Sequence, residues 1–96
     1  MFGNRNFTQG VSSEVSIEIQ LILWVMIDDL ILTDIEIDYL QVFRLSNQDG
    51  QQKIVHSQEQ PHYKNEVFIL AENPVSAKIF VIDNGEYTTM MLAEEY

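Results

Sequence analysis

The stretch Ile19–Leu32, IQLILWVMIDDLIL, decides how the rest of the chain is read. A membrane span needs about twenty apolar residues with few charges. Here the uninterrupted apolar run is only Leu21 to Ile27, and Glu18, Asp28 and Asp29 bracket it. Carboxylates near a bilayer centre are costly, and an interfacial helix would want lysine or arginine on its polar face. Neither demand is met, so the stretch is expected to be an amphipathic helix of a domain that does not enter the membrane.

Ser16 is the expected N-cap, because its hydroxyl can accept from a free amide of the first turn. Glu18 then complements the positive end of the helix. Ser12, Ser13 and Glu14 are expected to form a turn before it. At about 100° per residue, Glu18, Asp29 and Thr33 gather on one narrow side. Ile17, Leu21, Trp24 and Ile31, with Asp28 near them, lie opposite. Ile19, Leu23, Met26 and Leu30 point in a third direction. This apolar arc is wider than one sheet face requires, so a sheet is expected to cover one side and a partner chain part of the other.

After Thr33 the period changes to two. DIEIDYLQVFRL alternates, with Ile35, Ile37, Tyr39, Phe43 and Leu45 on one face and Asp34, Glu36 and Asp38 on the other. SNQDG is a turn, QKIVH the next strand, and QEQPHYKN a polar loop in which Pro61 interrupts any ladder. EVFIL follows, and then AKIFVIDNGEYTTMMLA, in which Asn84-Gly85 is the strongest short hairpin signal in the chain. A two-residue turn there pairs Ile82 with Tyr87, Phe80 with Thr89 and Ile79 with Met90. One face of this hairpin carries Ala77, Ile79, Val81, Met90 and Leu92. The other carries Phe80, Ile82, Tyr87 and Met91 beside Lys78 and Thr89. A short early strand is expected around Phe7 to Val11. The fold expected is α+β: residues 1–96 as one domain, with one long helix packed on a mostly antiparallel sheet of five to six strands.

The totals exclude several functions. With no cysteine among 96 residues, disulfides, thiolate catalysis and cysteine-ligated zinc are ruled out. Fifteen acidic residues face five basic ones, for a net charge of -10. Arg5, Arg44, Lys53, Lys64 and Lys78 are spread singly along the chain, so no cationic footprint for nucleic acid is expected. The acidic excess favours solubility and basic partners. The N-terminal MFGNRNFTQG has no apolar run and no small-residue cleavage site, so no secretory leader is expected, and the location expected is cytoplasmic.

The candidate sites are few. DIEID resembles the start of a calcium loop, but Tyr39 and Leu45 occupy the places of its glycine and its glutamate, which leaves a solvated strand face. His56, Glu59 and His62 could hold a divalent metal. Their spacing fits no helical ligand pair, and polar residues at a hairpin end are the simpler reading. His56 and Ser57 are neighbours on a strand and point to opposite faces, which forbids a direct nucleophile–base pair. The four glycines are isolated, so no phosphate cradle exists. No cofactor and no catalytic residue is expected. The residues expected at an interface are Leu21, Trp24, Phe80, Ile82 and Tyr87.

MFGNRNFTQGV, IEIQLILWVMID, DYLQVFRL, QKIVHSQEQPHYK and the ending AKIFVIDNGEYTTMMLAEEY together cover most of the chain. In these segments it resembles a family of small acidic proteins of unknown function from Gram-positive bacteria. The resemblance implies a cytoplasmic, stand-alone domain and brings no catalytic residues with it. The function expected is a non-enzymatic protein-interaction domain that self-associates. The alternative is an acidic regulator that occupies a basic protein surface as a nucleic-acid mimic. A small metal-dependent enzyme stands behind both.

Overall fold

Ser16 caps the helix that the opening stretch predicts, its Oγ accepting from the Ile19 amide at 3.3 Å. In the computed structural model, which describes residues 2–96, this helix runs from Ile17 to Ile31. A short strand, β1 (Arg5–Phe7), and a short helix, α1 (Gln9–Glu14), precede it, so the longer helix is α2. β2 (Leu40–Gln48), β3 (Gln51–Gln58), β4 (Tyr63–Leu70), β5 (Ala77–Asp83) and β6 (Thr88–Leu92) follow, and a 3₁₀ turn covers Ala93–Glu95. No helix among the described residues is long and apolar enough to cross a membrane.

The six strands form one mixed sheet in the order β1-β6-β5-β2-β3-β4. Every neighbouring pair is antiparallel except β1 with β6, which is parallel. The short strand expected at Phe7 to Val11 lies earlier, because Thr8 ends it and caps α1 by accepting from the Val11 amide. Asp49-Gly50, with φ of 53° and 85°, closes β2 onto β3 as a two-residue turn, so both strands run further than the SNQDG reading allowed. That pair of positive φ values is the geometry that matches strand twist in tight hairpins.

Four other expectations change. Ser12, Ser13 and Glu14 belong to the helix α1 instead of forming a turn, and Tyr63–Asn65 already belong to β4 instead of a polar loop. DIEID is irregular chain, and β2 starts only at Leu40. The segment is held from within: the Asp38 amide donates to Gln58 Oε1 at 3.0 Å, and Gln58 Nε2 donates to the Glu36 carbonyl at 2.9 Å. The Asn84-Gly85 hairpin is wider than a two-residue turn. Asn84 Oδ1 accepts from the amides of both Glu86 and Tyr87, which draws those residues into the loop. Ile82 therefore pairs with Thr89 and Ile79 with Leu92. The slip is two residues, and a slip of two keeps every side chain on its predicted face.

α2 lies on one face of the sheet. Ile19, Leu23, Met26 and Ile27 are buried against Phe43, Leu45, Ile54, Ile79, Val81, Met90 and Leu92, and Leu30 is fully buried as well. Burying one such side chain stabilises by roughly 1.5–3 kcal/mol. Phe2, Val11 and Val15 join the same core. Polar side chains also point into it. Gln52 accepts from the Val75 amide at 2.8 Å and donates to the Val75 carbonyl at 3.0 Å, acting as a substitute peptide group for the 71–76 connection.

Candidate functional site

The three metal candidates are placed apart in kind. His56 is on the core face of β3 and fully buried, whereas Glu59 and His62 are exposed in the β3–β4 turn. The His56 ring stacks on Phe43, with centroids 4.4 Å apart, and meets Tyr63 edge-on. Its Nε2 lies 2.6 Å from Gln41 Oε1. Gln41 uses its amide group to donate to the Asp38 carbonyl and to Gln58 Oε1, so its oxygen must accept and His56 Nε2 must carry the proton. Among the described residues Nδ1 has no hydrogen-bond partner. Burial pushes the imidazole down to about 4, so it stays neutral at physiological pH. Among the described residues, no three histidines and carboxylates are grouped to hold a metal ion.

The interface candidates divide between two opposite sides of the molecule. On the solvent side of α2, Ile17, Leu21 and Val25 each expose more than half of their surface, and Leu32 exposes 84%. Trp24 is half-buried on that side, with the Arg5 guanidinium 4.8 Å from its ring centroid. Arg5 also pairs with Asp28 and donates to the Phe2 carbonyl. Exposed Glu18, Asp28 and Asp29 flank the apolar stripe.

Phe80, Ile82 and Tyr87 lie across the sheet, on or beside the face that α2 does not cover. The strand registers align Phe80 with Val42 and Met91, and Ile82 with Leu40 and Thr89. Strand parity sends Arg44, Lys53, Lys64 and Lys78 to this same face, which is the side opposite buried Phe43, Ile54 and Ile79 and half-buried Val67. Four of the five basic residues thus share one surface, although they are scattered singly in the sequence. Glu66, 3.3 Å from Lys53, is the one carboxylate of the β2–β6 strands on that face. Alternation counted through each strand was the signal that could have found this cluster.

A third feature lies where α2 meets β4. Leu21, Ile22, Val25 and Met26 from the helix and Val67 and Ile69 from the strand line an open groove of about 320 Å³, with Asp29 at its rim. It continues past Glu18 and Ser16 into a space of about 490 Å³ closed by Leu70, Ala71, Glu72 and Asn73. β4 is the outermost strand of the sheet, so its second edge is unpaired.

The model of a family described as "Staphylococcal protein of unknown function" matches residues 4–95. The chain belongs to this family. Its fold is also similar to the crystal structure of a protein of unknown function from Enterococcus faecalis. The two are 25% identical with a TM-score of 0.85, over 97% of this chain and 90% of that one. No curated protein matches the chain.

Proposed function

We propose that this family member is a non-enzymatic protein-interaction domain, acting in the cytoplasm, that self-associates. The observation that supports it is the opposite charge of the two uncovered faces. The helix face offers exposed Ile17, Leu21, Val25 and Leu32 flanked by carboxylates, and the sheet face offers half-buried Leu40, Val42, Phe80 and Ile82 among cations, with Tyr96 edge-on to Phe80. A second copy's α2 laid on the open sheet buries both apolar faces and places carboxylates beside Arg44 and Lys78. The dimensions agree: fifteen helical residues span about 22 Å, and five strands span about 19 Å from first to last. Such a contact joins two different patches, so it is head-to-tail and open-ended.

Reciprocal mixing tests it. Leu21→Glu with Leu32→Glu removes the helix face, and Arg44→Glu with Lys78→Glu removes the sheet face. In sedimentation at micromolar concentration the unmodified chain gains mass with concentration and each double variant stays monomeric. An equimolar mixture of the two variants gives a one-to-one pair, because each keeps the face the other lacks. A monomeric unmodified chain overturns self-association. The second reading, an acidic domain that holds a basic partner, is favoured by the acidic rim of the α2–β4 groove. Pull-down from host lysate at low and moderate salt tests it, and retention of nothing basic removes it.

A further inference from the structure

The groove beside β4 names a kind of partner that self-association does not use. β4 pairs with β3 through eight consecutive residue pairs, from Gln51–Leu70 to Gln58–Tyr63, without a bulge. Its other edge is open along all eight residues, and it contains no proline. Natural edge strands are blunted by shortness, bulges, proline or charge. Here only Lys64 and Glu66 carry charge, both in the first half. In the second half, Val67 and Ile69 turn to the groove while Phe68 and Leu70 turn to the outer face, the latter 87% exposed. A strand segment apolar on both faces belongs inside a sheet, between two neighbours. β4 has one.

We infer that the α2–β4 groove receives an extended segment of another protein, as a seventh strand on β4, whose alternate residues are apolar and basic. The backbone edge supplies the ladder, and the groove takes one side chain in two, which is how strand addition combines affinity with selectivity. Leu21, Ile22, Val25, Met26, Val67 and Ile69 form the apolar floor. Glu18, Asp29 and Glu72 stand along the groove and, among the described residues, no cation lines it, which sets the sign of the flanking side chains. A second copy's β4 is a poorer occupant, because the matching carboxylates of two grooves would then be brought together. The groove shares Leu21, Val25 and the flanking Glu18 and Asp29 with the helix stripe, but its strand edge, Val67 and Ile69 belong to the groove alone, so the inference stands whether or not the chain self-associates.

The test uses a capped octapeptide of alternating lysine and valine, with alternating glutamate and valine, and with octalysine, as comparators. Binding is followed by amide and methyl NMR shifts on the unmodified chain and on the Arg44→Glu, Lys78→Glu variant, which removes competition from the sheet face. The expected result is saturable binding of the lysine–valine peptide, with shifts confined to Ser16–Asp29 and Tyr63–Asn73. Both comparators bind at least about tenfold more weakly, a margin set by charge sign in one and by the apolar floor in the other. Glu18→Lys with Asp29→Lys reverses the preference towards the glutamate–valine peptide. The inference is overturned by absence of shifts at millimolar peptide, by equal binding of octalysine, or by shifts centred on Arg44 and Phe80. It is equally overturned by concentration-dependent β4 shifts without peptide in the Arg44→Glu, Lys78→Glu variant, which would assign the edge to a second copy independently of the sheet face. Self-association is judged separately by sedimentation, so failure of either idea leaves the other measurable.

Discussion

Arg44 on β2 and Lys78 on β5 are directly opposite each other across one antiparallel ladder, both on the face of the sheet that no helix covers. Among the described residues neither has a carboxylate within ion-pair distance. Two like charges so placed destabilise a sheet by a few tenths to about 1 kcal/mol. A chain with fifteen acidic residues and five basic ones had many ways to avoid this arrangement. The juxtaposition costs stability in the isolated domain and is relieved when an acidic surface lies across it.

Lys78→Glu converts the repulsion into an attraction. The monomer should gain about 0.5 kcal/mol in urea unfolding, and head-to-tail association should weaken at the same time. Stability and association moving in opposite directions is the signature of a surface kept for a partner. A variant that is both less stable and equally associated would contradict that account.

His56 makes stability fall with acid. Its native value of about 4 lies below the ordinary 6.5, so the unfolded chain binds the proton that the folded chain refuses. The stability is complete above about pH 6.5 and is lost progressively as pH falls from there to about 4, where the folded protein also titrates. The full effect is about 3 kcal/mol, and roughly 2 kcal/mol is gone by pH 5. Urea unfolding of the wild type and of His56→Phe at pH 7 and pH 5 checks it. The variant should be weaker at pH 7, because Gln41 Oε1 loses its donor, but should lose about 2 kcal/mol less on acidification.

Gly10 leaves room for the end of the chain. The Glu95 carboxylate accepts from the Thr8 hydroxyl at 2.6 Å, the Leu92 amide at 2.8 Å and the Gly10 amide at 3.3 Å. The Thr8 bond first, then that of Leu92, hold its carboxyl below the usual glutamate range. A methyl group on Gly10 would sit 2.7 Å from that carboxylate. Because the obstructing group is the end of a flexible side chain, Gly10→Ala should displace Glu95 without unfolding α1. NMR titration should then show Glu95 returning upward towards its ordinary value, and an unmoved titration would mean that the tether survives.

Much of this architecture is legible in the residues. Ser16 and the period of Ile19, Leu23, Met26 and Leu30 place α2 and its buried side, because capping and amphipathicity act locally. The β5–β6 faces follow from alternation alone, even though the Asn84 side chain changes the register. Less is legible where polar groups enter the core. Gln41, Gln52, His56 and Gln58 all face inward, and a hydrophobicity pattern assigns such residues to solvent. They are tolerated because each glutamine satisfies irregular chain, which is also why Asp34–Asp38 could not be recognised as a loop. The cationic face was hidden for a different reason: Arg44, Lys53, Lys64 and Lys78 are far apart in sequence and meet only through the strand order.

Trp24 offers a direct optical test of how the helix face is shielded. It is the only tryptophan in the chain, and Arg5 lies over its ring while pairing with Asp28 in the last turn of α2. A carboxylate there opposes the negative end of the helix, so Arg5 offsets an unfavourable charge and covers an aromatic ring at once. Arg5→Ala removes both effects and bares Asp28. The expected loss is about 1 kcal/mol, since the ion pair is largely exposed and the stacking contact is worth about as much as other exposed cation–π pairs. Tryptophan emission should shift to longer wavelength as the ring meets water. Arg5→Lys keeps the charge but not the planar stack, so it should restore part of the stability while leaving the emission shifted. Unchanged emission in both variants would show that Trp24 is shielded by the core alone.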